Sequence, residues 1–493
     1  MKRKFSAGLL ALLLTLCATG SAWASVAEIF GVGGKAVAMG GAFTAVADDF
    51  SATWYNPAGL TQPSSIQVSG GLLFYNYDLK VNGKPSPIES RGGAYIGLVA
   101  PLFHGRGAAG VWGFIPTNKL LQNDFTNPGE PQFPTDTNRA QVLDLSPALA
   151  FDINPKFSIG IGFRLINTQE STINLFLPLT FNGGGVGGTG DIVPAGGGEL
   201  IVKAKNYIAP NFGILWHPYE NLKIGASYRY FIRQTVKINN NADFITSSSA
   251  ASNFINTLLS QDVFVTGEFV GTQFYSPQAV TVGVAYEPSE RLTLAANLDW
   301  EGWSQIHDDR LTGKNFSDID FRLGGPEPLA VTFQQFINTK AHDIVIPRVG
   351  VEYRPKTKKG PLGPVDFQLR GGYAFRPSPF DNDQFGATQL LTIIDETKPE
   401  AVSRFLSNGT NLVDADRHIV SAGLGMTIDD PIGWAEKIQF DFWWQQQLLK
   451  SKHFNNQQFV NSPPNSGAFT EFGPNLKVNG TLTSFGVFAT AKF

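Results

Sequence analysis

The chain has 493 residues, among them 53 Gly, 39 Phe, 12 Tyr and 9 Trp, with 16% charged residues and a net charge of −3. Soluble domains average about 25% charged residues and about 7% Gly, so this sequence is poor in charge and rich in glycine. With 38 basic residues against 41 acidic ones and no basic run after Lys4, a nucleic-acid partner is excluded. One cysteine rules out a disulfide framework and a cysteine-based zinc cluster. Beyond the first 20 or so residues, no apolar stretch reaches the ~18 residues that a membrane-spanning helix needs.

In chain order, the first element is a secretory signal over residues 1–24. Lys2, Arg3 and Lys4 precede an apolar run from Leu9 to Leu16, and Ala22-Trp23-Ala24 is a small-x-small cleavage site. A lipoprotein signal at Cys17 is disfavoured, because Leu16 stands where a small residue is required. Residues 25–64 form a small-residue-rich unit containing GVGGKAVAMGGAFTAVADD and NPAGL. From Ser65 to Phe493 the pattern changes to short segments of alternating polarity.

In Phe157-Ser158-Ile159-Gly160-Ile161-Gly162-Phe163-Arg164-Leu165, large apolar residues alternate with small or charged ones. A period of two places the two sets on opposite faces of a strand. Such segments fall at 65–79, 91–101, 106–116, 139–152, 156–172, 198–216 and 220–239. They continue at 275–286, 291–303, 342–354, 364–377, 416–429, 436–451 and 479–493. Short turns marked by Asn154-Pro155, His217-Pro218, Glu287-Pro288-Ser289 and Asp430-Pro431 alternate with long loops. An even strand number with short turns on one rim and long loops on the other describes an outer-membrane barrel.

The bilayer sets the orientation. Only helices and closed barrels satisfy every backbone group inside lipid, and a charge on the lipid face costs roughly 2–4 kcal/mol at the midplane. Arg164, Lys223, Arg229, Asp299, Arg348, Glu352, Asp366, Arg370 and Asp441 are therefore expected in the lumen. Trp300, Trp303, Tyr228, Tyr230 and Trp444 are candidates for aromatic girdles. A soluble sandwich or a propeller is the competing architecture; the uneven loop lengths weigh against the first and the lack of a blade repeat against the second. Phe485, Val487, Ala489, Ala491 and Phe493 alternate to the last residue, as expected of a closing strand read by the outer-membrane assembly machinery.

The segment GVGGKAVAMGGAFTAVADDFSATWYNPAGL (31–60) resembles the N-terminal plug of the FadL-type outer-membrane transporters for long-chain fatty acids and aromatic hydrocarbons. The resemblance extends in order through SPQAV, VGVAYEPSERLTLAANLDWEGWS, PRVGVEYRP, LRGGYAFRPSPF and RHIVSAGLGM. It implies an all-β, fourteen-stranded antiparallel barrel in the outer membrane of a Gram-negative bacterium, with residues 25–64 as a hatch in the lumen. It further implies a monomer among lipid and lipopolysaccharide that needs no cofactor. Hydrophobic cargo would be captured outside and would leave sideways where the third strand is kinked.

On that basis Asn56, Pro57 and Ala58 are expected where the hatch meets the kink, the alternative being a plain type I turn. Gly107, Gly110 and Gly113 in the third segment fit a bulge or gap in the wall, unless the strand has been mis-phased. Two loops carry apolar residues with no role in a barrel wall: Ile173, Leu175, Phe176, Leu177 and Leu179 around Pro178, and the stripe Phe254, Ile255, Leu258 and Leu259 after a possible helix cap at Ser252. They read as two walls of an external substrate groove, or as loops that only pack on each other. GVGGKA lacks the Ser/Thr and the spacing of a phosphate loop. Asp48 and Asp49 either pair with lumen arginines or form a solvated turn. A lipase is disfavoured because His418 and Ser421, three apart on a strand, face opposite ways, and no His/Asp/Glu cluster has metal-ligand spacing. The principal rival is a porin-like diffusion channel for polar solutes, which needs an open lumen.

Overall fold

The computed structural model describes residues 27–86, 91–116, 133, 142–168, 171–179, 193–202, 205–244, 263–307, 316–323, 329–336, 341–360, 363–380, 388–395, 402–407, 413–429, 433–455 and 475–493. Fourteen antiparallel strands close into one ring. They are β1 (Gln67–Val81), β2 (Arg91–Leu102), β3 (Gly107–Pro116), β4 (Val142–Asn154), β5 (Phe157–Thr168), β6 (Lys205–Tyr219) and β7 (Leu222–Arg229). The second half comprises β8 (Ala279–Ser289), β9 (Leu292–Glu301), β10 (Ile344–Tyr353), β11 (Gly363–Arg376), β12 (Arg417–Asp429), β13 (Lys437–Asn455) and β14 (Asn475–Lys492). Each strand pairs with its neighbours in sequence, and β1 closes on β14 in unbroken register from Gln67↔Lys492 to Val81↔Val478. No sheet edge is left in the ring, which is what a bilayer requires.

Each of the fourteen alternating segments overlaps one barrel strand. In β8, Ala279, Thr281, Gly283 and Ala285 face inward, while Val280, Val282, Val284 and Tyr286 face out. Two segments break earlier than their polarity suggests. The one at 220–239 leaves the barrel after Arg229 and resumes as Ile232–Phe244, paired with Val263–Ser276. The one at 198–216 joins the ring only from Lys205, because Val193–Val202 pairs instead with Ser171–Leu179. The long loops also contain strands. Hairpins between β7 and β8, β9 and β10, and β11 and β12 join into one six-stranded sheet. Alternation continues past the rim because backbone groups there still gain by pairing with each other.

The hatch is made of helices α1 (Ala27–Phe30), α2 (Gly34–Ala38) and α3 (Ala52–Tyr55), followed by a 3₁₀ turn, Pro57–Thr61. Helices this short are not stable alone; the barrel holds them. Val32, Ala36, Ala38, Met39, Ala42, Phe43 and Ala47 are buried. Gly40 and Gly41, with φ of +67° and +76°, let the chain reverse against the wall.

Lumen-facing glycines make the seat. A Cβ on Gly372 would lie 2.1 Å from the Gly40 nitrogen, one on Gly350 would lie 2.5 Å from the Met39 oxygen, and one on Gly225 would lie 2.4 Å from the Thr44 oxygen. Backbone thus meets backbone with no side chain between them. Of the girdle candidates, Tyr230 and Trp444 are exposed on the outer surface. Trp303 is not: it sits in a 3₁₀ turn after β9 and is buried against Tyr275 and Phe380.

Gly372→Val is expected to unseat the hatch without breaking the ring. Heat-modifiable migration on gels should persist, while single-channel conductance in planar bilayers should rise from near silence to a steady current.

Candidate functional site

Asn56 joins hatch to wall. It is fully buried, and its Nδ2 donates to the Thr44 carbonyl (2.8 Å) and to the Ile214 carbonyl of β6 (2.9 Å). Its Oδ1 accepts from the Ala58 nitrogen and so caps the 3₁₀ turn, which Pro57 opens with its fixed φ. Pro57 and Ala58 lie against Gly160 of β5 and Gly213 of β6. The turn abuts β2 through β6, most extensively β4, β5 and β6. The motif therefore meets the wall mainly at the fourth to sixth strands and not at a kink in the third.

The third strand has no gap. Its pairing with β2 runs continuously from Gly93↔Pro116 to Leu102↔Gly107, and its pairing with β4 from Gly107↔Phe151 to Phe114↔Asp144. Gly110 serves another purpose: a Cβ there would lie 2.6 Å from Leu60 and 3.0 Å from Thr53, both in the hatch. Gly113 faces Leu145 and Ile96, and Gly107 lies beside Phe103. These glycines accommodate neighbours and leave the ladder intact.

The ladder is interrupted one strand pair further on. Between β4 and β5, pairing stops after Leu145↔Leu165 and resumes in the same register at Ala148↔Gly162. Pro147, which has no N–H, falls in this break and faces lipid opposite Phe163. On its other side Phe163 pairs with Pro210. Inside, Ser146 lies opposite Arg164. The Ser146 hydroxyl and the Trp112 indole nitrogen, on paired residues of β4 and β3, are buried without hydrogen-bond partners. A second interruption lies between β10 and β11 above Arg348↔Ala374. Its inner side is filled by the apolar cluster of Ile344, Ile346, Phe380 and Ile419.

A narrow cavity of about 90 Å³ lies between hatch and wall, lined by Glu28, Phe30, Trp54, Arg229, Ser276 and Trp303 among others. Arg164 links it to the β4–β5 interruption. Its guanidinium is held by Asp144 (2.7 Å) and by Glu28, donates to the Ser276 hydroxyl (3.0 Å), and lies 4.9 Å from the Trp54 ring centre. Glu28, Trp54 and Ser276 all line the cavity, so Arg164 touches the cavity lining and also stands opposite Ser146 in the pairing break.

Below the hatch lies a chain of charges. Lys35 of α2 binds Asp48 at 2.6 Å and approaches Glu352 of β10 at 3.8 Å; Arg370 of β11 joins Glu352 (2.6 Å) to Asp441 of β13. Burial opposes the charge on Lys35, but the Asp48 and Glu352 carboxylates outweigh it and hold its pKa above the ordinary value. Asp49 accepts from the Ser51 nitrogen and hydroxyl, and burial together with the neighbouring Asp48 pushes its pKa up to about 6. Neither aspartate pairs with an arginine among the described residues. Sequence placed Glu352, Arg370 and Asp441 in the lumen, yet their partnership crosses strands and leaves no local signal. Pro147 was the legible clue to the interruption, since proline inside a strand removes a ladder donor.

Of the proposed groove residues, Phe176, Leu177 and Leu179 belong to the strand Ser171–Leu179, paired with Val193–Val202 in place of an irregular loop. Phe254, Ile255, Leu258 and Leu259 lie outside the described residues. Among the described residues no group of three His, Cys, Asp or Glu side chains is placed to hold a metal.

A family model described as outer membrane protein transport protein (OMPP1/FadL/TodX) matches residues 14–388. Alkane uptake protein A of Marinobacter nauticus is 21% identical over 461 residues, covering 88% of this chain and 86% of that protein. A Pseudomonas aeruginosa FadL homologue superposes with a TM-score of 0.54 at 15% identity, covering 94% of this chain and 98% of its own. The P. putida toluene transporter TodX gives a TM-score of 0.51 at 15% identity, with coverage of 94% and 99%. At these identities the structural likeness speaks to the fold.

Asn56→Ala would leave the Thr44 and Ile214 carbonyls and the Ala58 nitrogen without their partner. At about 1–3 kcal/mol for each of these three buried orphans, the hatch should loosen by roughly 3–9 kcal/mol, read as faster proteolysis within residues 27–64 while the barrel resists.

Proposed function

Because the chain belongs to the outer membrane protein transport family (OMPP1/FadL/TodX), we propose that it carries hydrophobic small molecules passively from the cell exterior into the outer membrane, with sideways release between β4 and β5. The observation that carries this reading is the position of Arg164, which lies opposite Ser146 in the pairing break and binds Glu28 and Ser276 of the cavity lining. The named activities of relatives, alkane uptake and toluene transport, fit cargo that lipopolysaccharide excludes and a water-filled pore cannot stabilise. Burying apolar surface is worth ~25 cal/mol per Å², and an exit into lipid retains that gain.

Hatch contacts weigh against an open pore. Asn297 donates to the Gly41 carbonyl, Arg348 to that of Gly40, Gln447 to that of Ile29, and Tyr95 to that of Gly31. These residues lie on β9, β10, β13 and β2, so the hatch is fastened around the ring. In this reading residues 1–24 are the signal removed on export, and Phe493 is read by the assembly machinery. The external groove of Phe176, Leu177, Leu179, Phe254, Ile255, Leu258 and Leu259 captures cargo.

Two experiments test the route. In a Pro147→Cys/Phe163→Cys pair, oxidation should lock β4 to β5 and abolish uptake, and reduction should restore it; undiminished uptake by fully oxidised protein refutes this exit. The chain's one native cysteine, Cys17, falls in the proposed signal. A Phe254→Asp/Leu258→Asp variant should bind an apolar ligand at least several-fold more weakly, measured on purified protein, if the groove is the capture site.

A further inference from the structure

The outer surface of the barrel changes character along one register row. On β13, β14 and β1, the strands that close the ring, Trp444, Phe485 and Phe74 stand side by side and exposed, with the Phe74 and Phe485 rings stacked at 5.5 Å. One row nearer the long loops the outward residues turn polar: Gln446, Thr483 and Asn76, with the Thr483 hydroxyl donating to Gln446 Oε1 (2.9 Å). Beyond them come cations. Lys80 of β1 lies opposite Asn479 of β14, Lys450 sits exposed in the β13 bulge at the same level, and Lys477 of β14 is paired directly with His453 of β13, both exposed.

One carboxylate answers this group. Asp78 binds Lys80 at 3.1 Å; Lys450, Lys477 and His453 have no carboxylate within ion-pair distance among the described residues. Like charges on neighbouring strands repel, so the row is incomplete without an anion. The patch is local. On β8, β9 and β10 the last outward row is Val280, Trp300 and Val345, which carries no charge.

Its height identifies the partner. Six residues at ~3.4 Å each, tilted by ~40°, put the lysine backbones ~15 Å above the aromatic row, and lysine stems bend back toward the head-group layer. Three neighbouring strands span ~10 Å, wide enough for a disaccharide with a phosphate at each end and wider than one phosphate needs. The amides and hydroxyls of Gln446, Thr481 and Thr483 face sugar hydroxyls, and the aromatic row below offers apolar surface to acyl chains.

We propose that Lys80, Lys450, Lys477 and His453 form a docking site on the outside of the barrel for the phosphorylated saccharide head of lipopolysaccharide. Lysine binds phosphate as a point charge, and the glycolipid bridges the β14–β1 seam that closes the ring. The site is separate from the lumen and from any cargo route.

The test measures binding of bisphosphorylated lipid A, dephosphorylated lipid A and phosphatidylglycerol to purified protein in non-ionic detergent. The proteins are the native chain, Lys450→Gln/Lys477→Gln, and a control of equal charge loss in the short turns, Lys156→Gln/Lys356→Gln. The native chain should prefer the bisphosphorylated form to the other two by roughly tenfold. Lys450→Gln/Lys477→Gln should lose most of that preference and the control should keep it, with heat-modifiable migration showing each variant folded. Equal binding of the two lipid A forms by the native chain, or a preference that survives in Lys450→Gln/Lys477→Gln, overturns the site. Phosphatidylglycerol binding as tightly as lipid A overturns the choice of a glycolipid. Uptake of hydrophobic cargo is read separately in cells, so either failure leaves the transport reading standing.

Discussion

Every backbone N–H and C=O that faces hydrocarbon needs a partner within the chain, and the rest of this structure follows from meeting that demand. Closing β1 on β14 removes the last free edge. A closed ring of this kind has two chemically opposed faces, which is why Val280, Val282 and Val284 look outward while Thr281 and Gly283 look inward. The same demand makes a break in the ladder informative. At Pro147 the chain meets it by having one donor fewer to satisfy, so the wall is weakened there at little cost to its pairing.

Once the lumen is closed off by a hatch, its charges lose most of their water, and each must be answered by another charge. Arg370 illustrates the point, held between Glu352 and Asp441 from the strands on either side of its neighbourhood. Buried pairs of this kind repay much of their desolvation and add little net stability; what they define is register. A hatch shifted by one residue would take Lys35 away from Asp48 and Glu352. The ion-pair chain below and the glycine seats at Gly225, Gly350 and Gly372 thus locate the same segment by two independent means, one electrostatic and one steric.

The barrel was legible in the sequence because alternation is a local property, and the bilayer penalises every charge placed on the wrong face. Arg164, Glu352, Arg370 and Asp441 were assignable to the lumen from that penalty alone. Their partners were not, since Arg370 and Asp441 are 71 residues apart and only the folded ring brings them together. The glycines of β3 misled for a related reason. Glycine in a strand signals either a broken ladder or the close approach of another backbone or side chain, and at Gly110 the approaching group is Leu60 of the hatch. NPAGL identified the seam between hatch and wall, but not which strands it touches. The loop hairpins escaped notice although stretches such as Val263–Ser276 and Leu329–Phe336 are rich in β-branched and aromatic residues, because such segments pair only when neighbouring loops offer an edge.

The arrangement also indicates which part yields when cargo passes in the proposed route. Opening the wall along an unbroken ladder would break bonds in lipid, where each exposed backbone group costs several kcal/mol, and the break between β10 and β11 is filled from inside by Ile344, Ile346, Phe380 and Ile419. Between β4 and β5 those bonds are already missing. What remains in the way is Arg164, held to Asp144 and Glu28 by charge-assisted bonds of about 1.5–3 kcal/mol each, and the hatch behind it, fastened by neutral hydrogen bonds of about 1 kcal/mol net each. Glu28 is central to this balance: it belongs to the hatch, lines the cavity and holds Arg164.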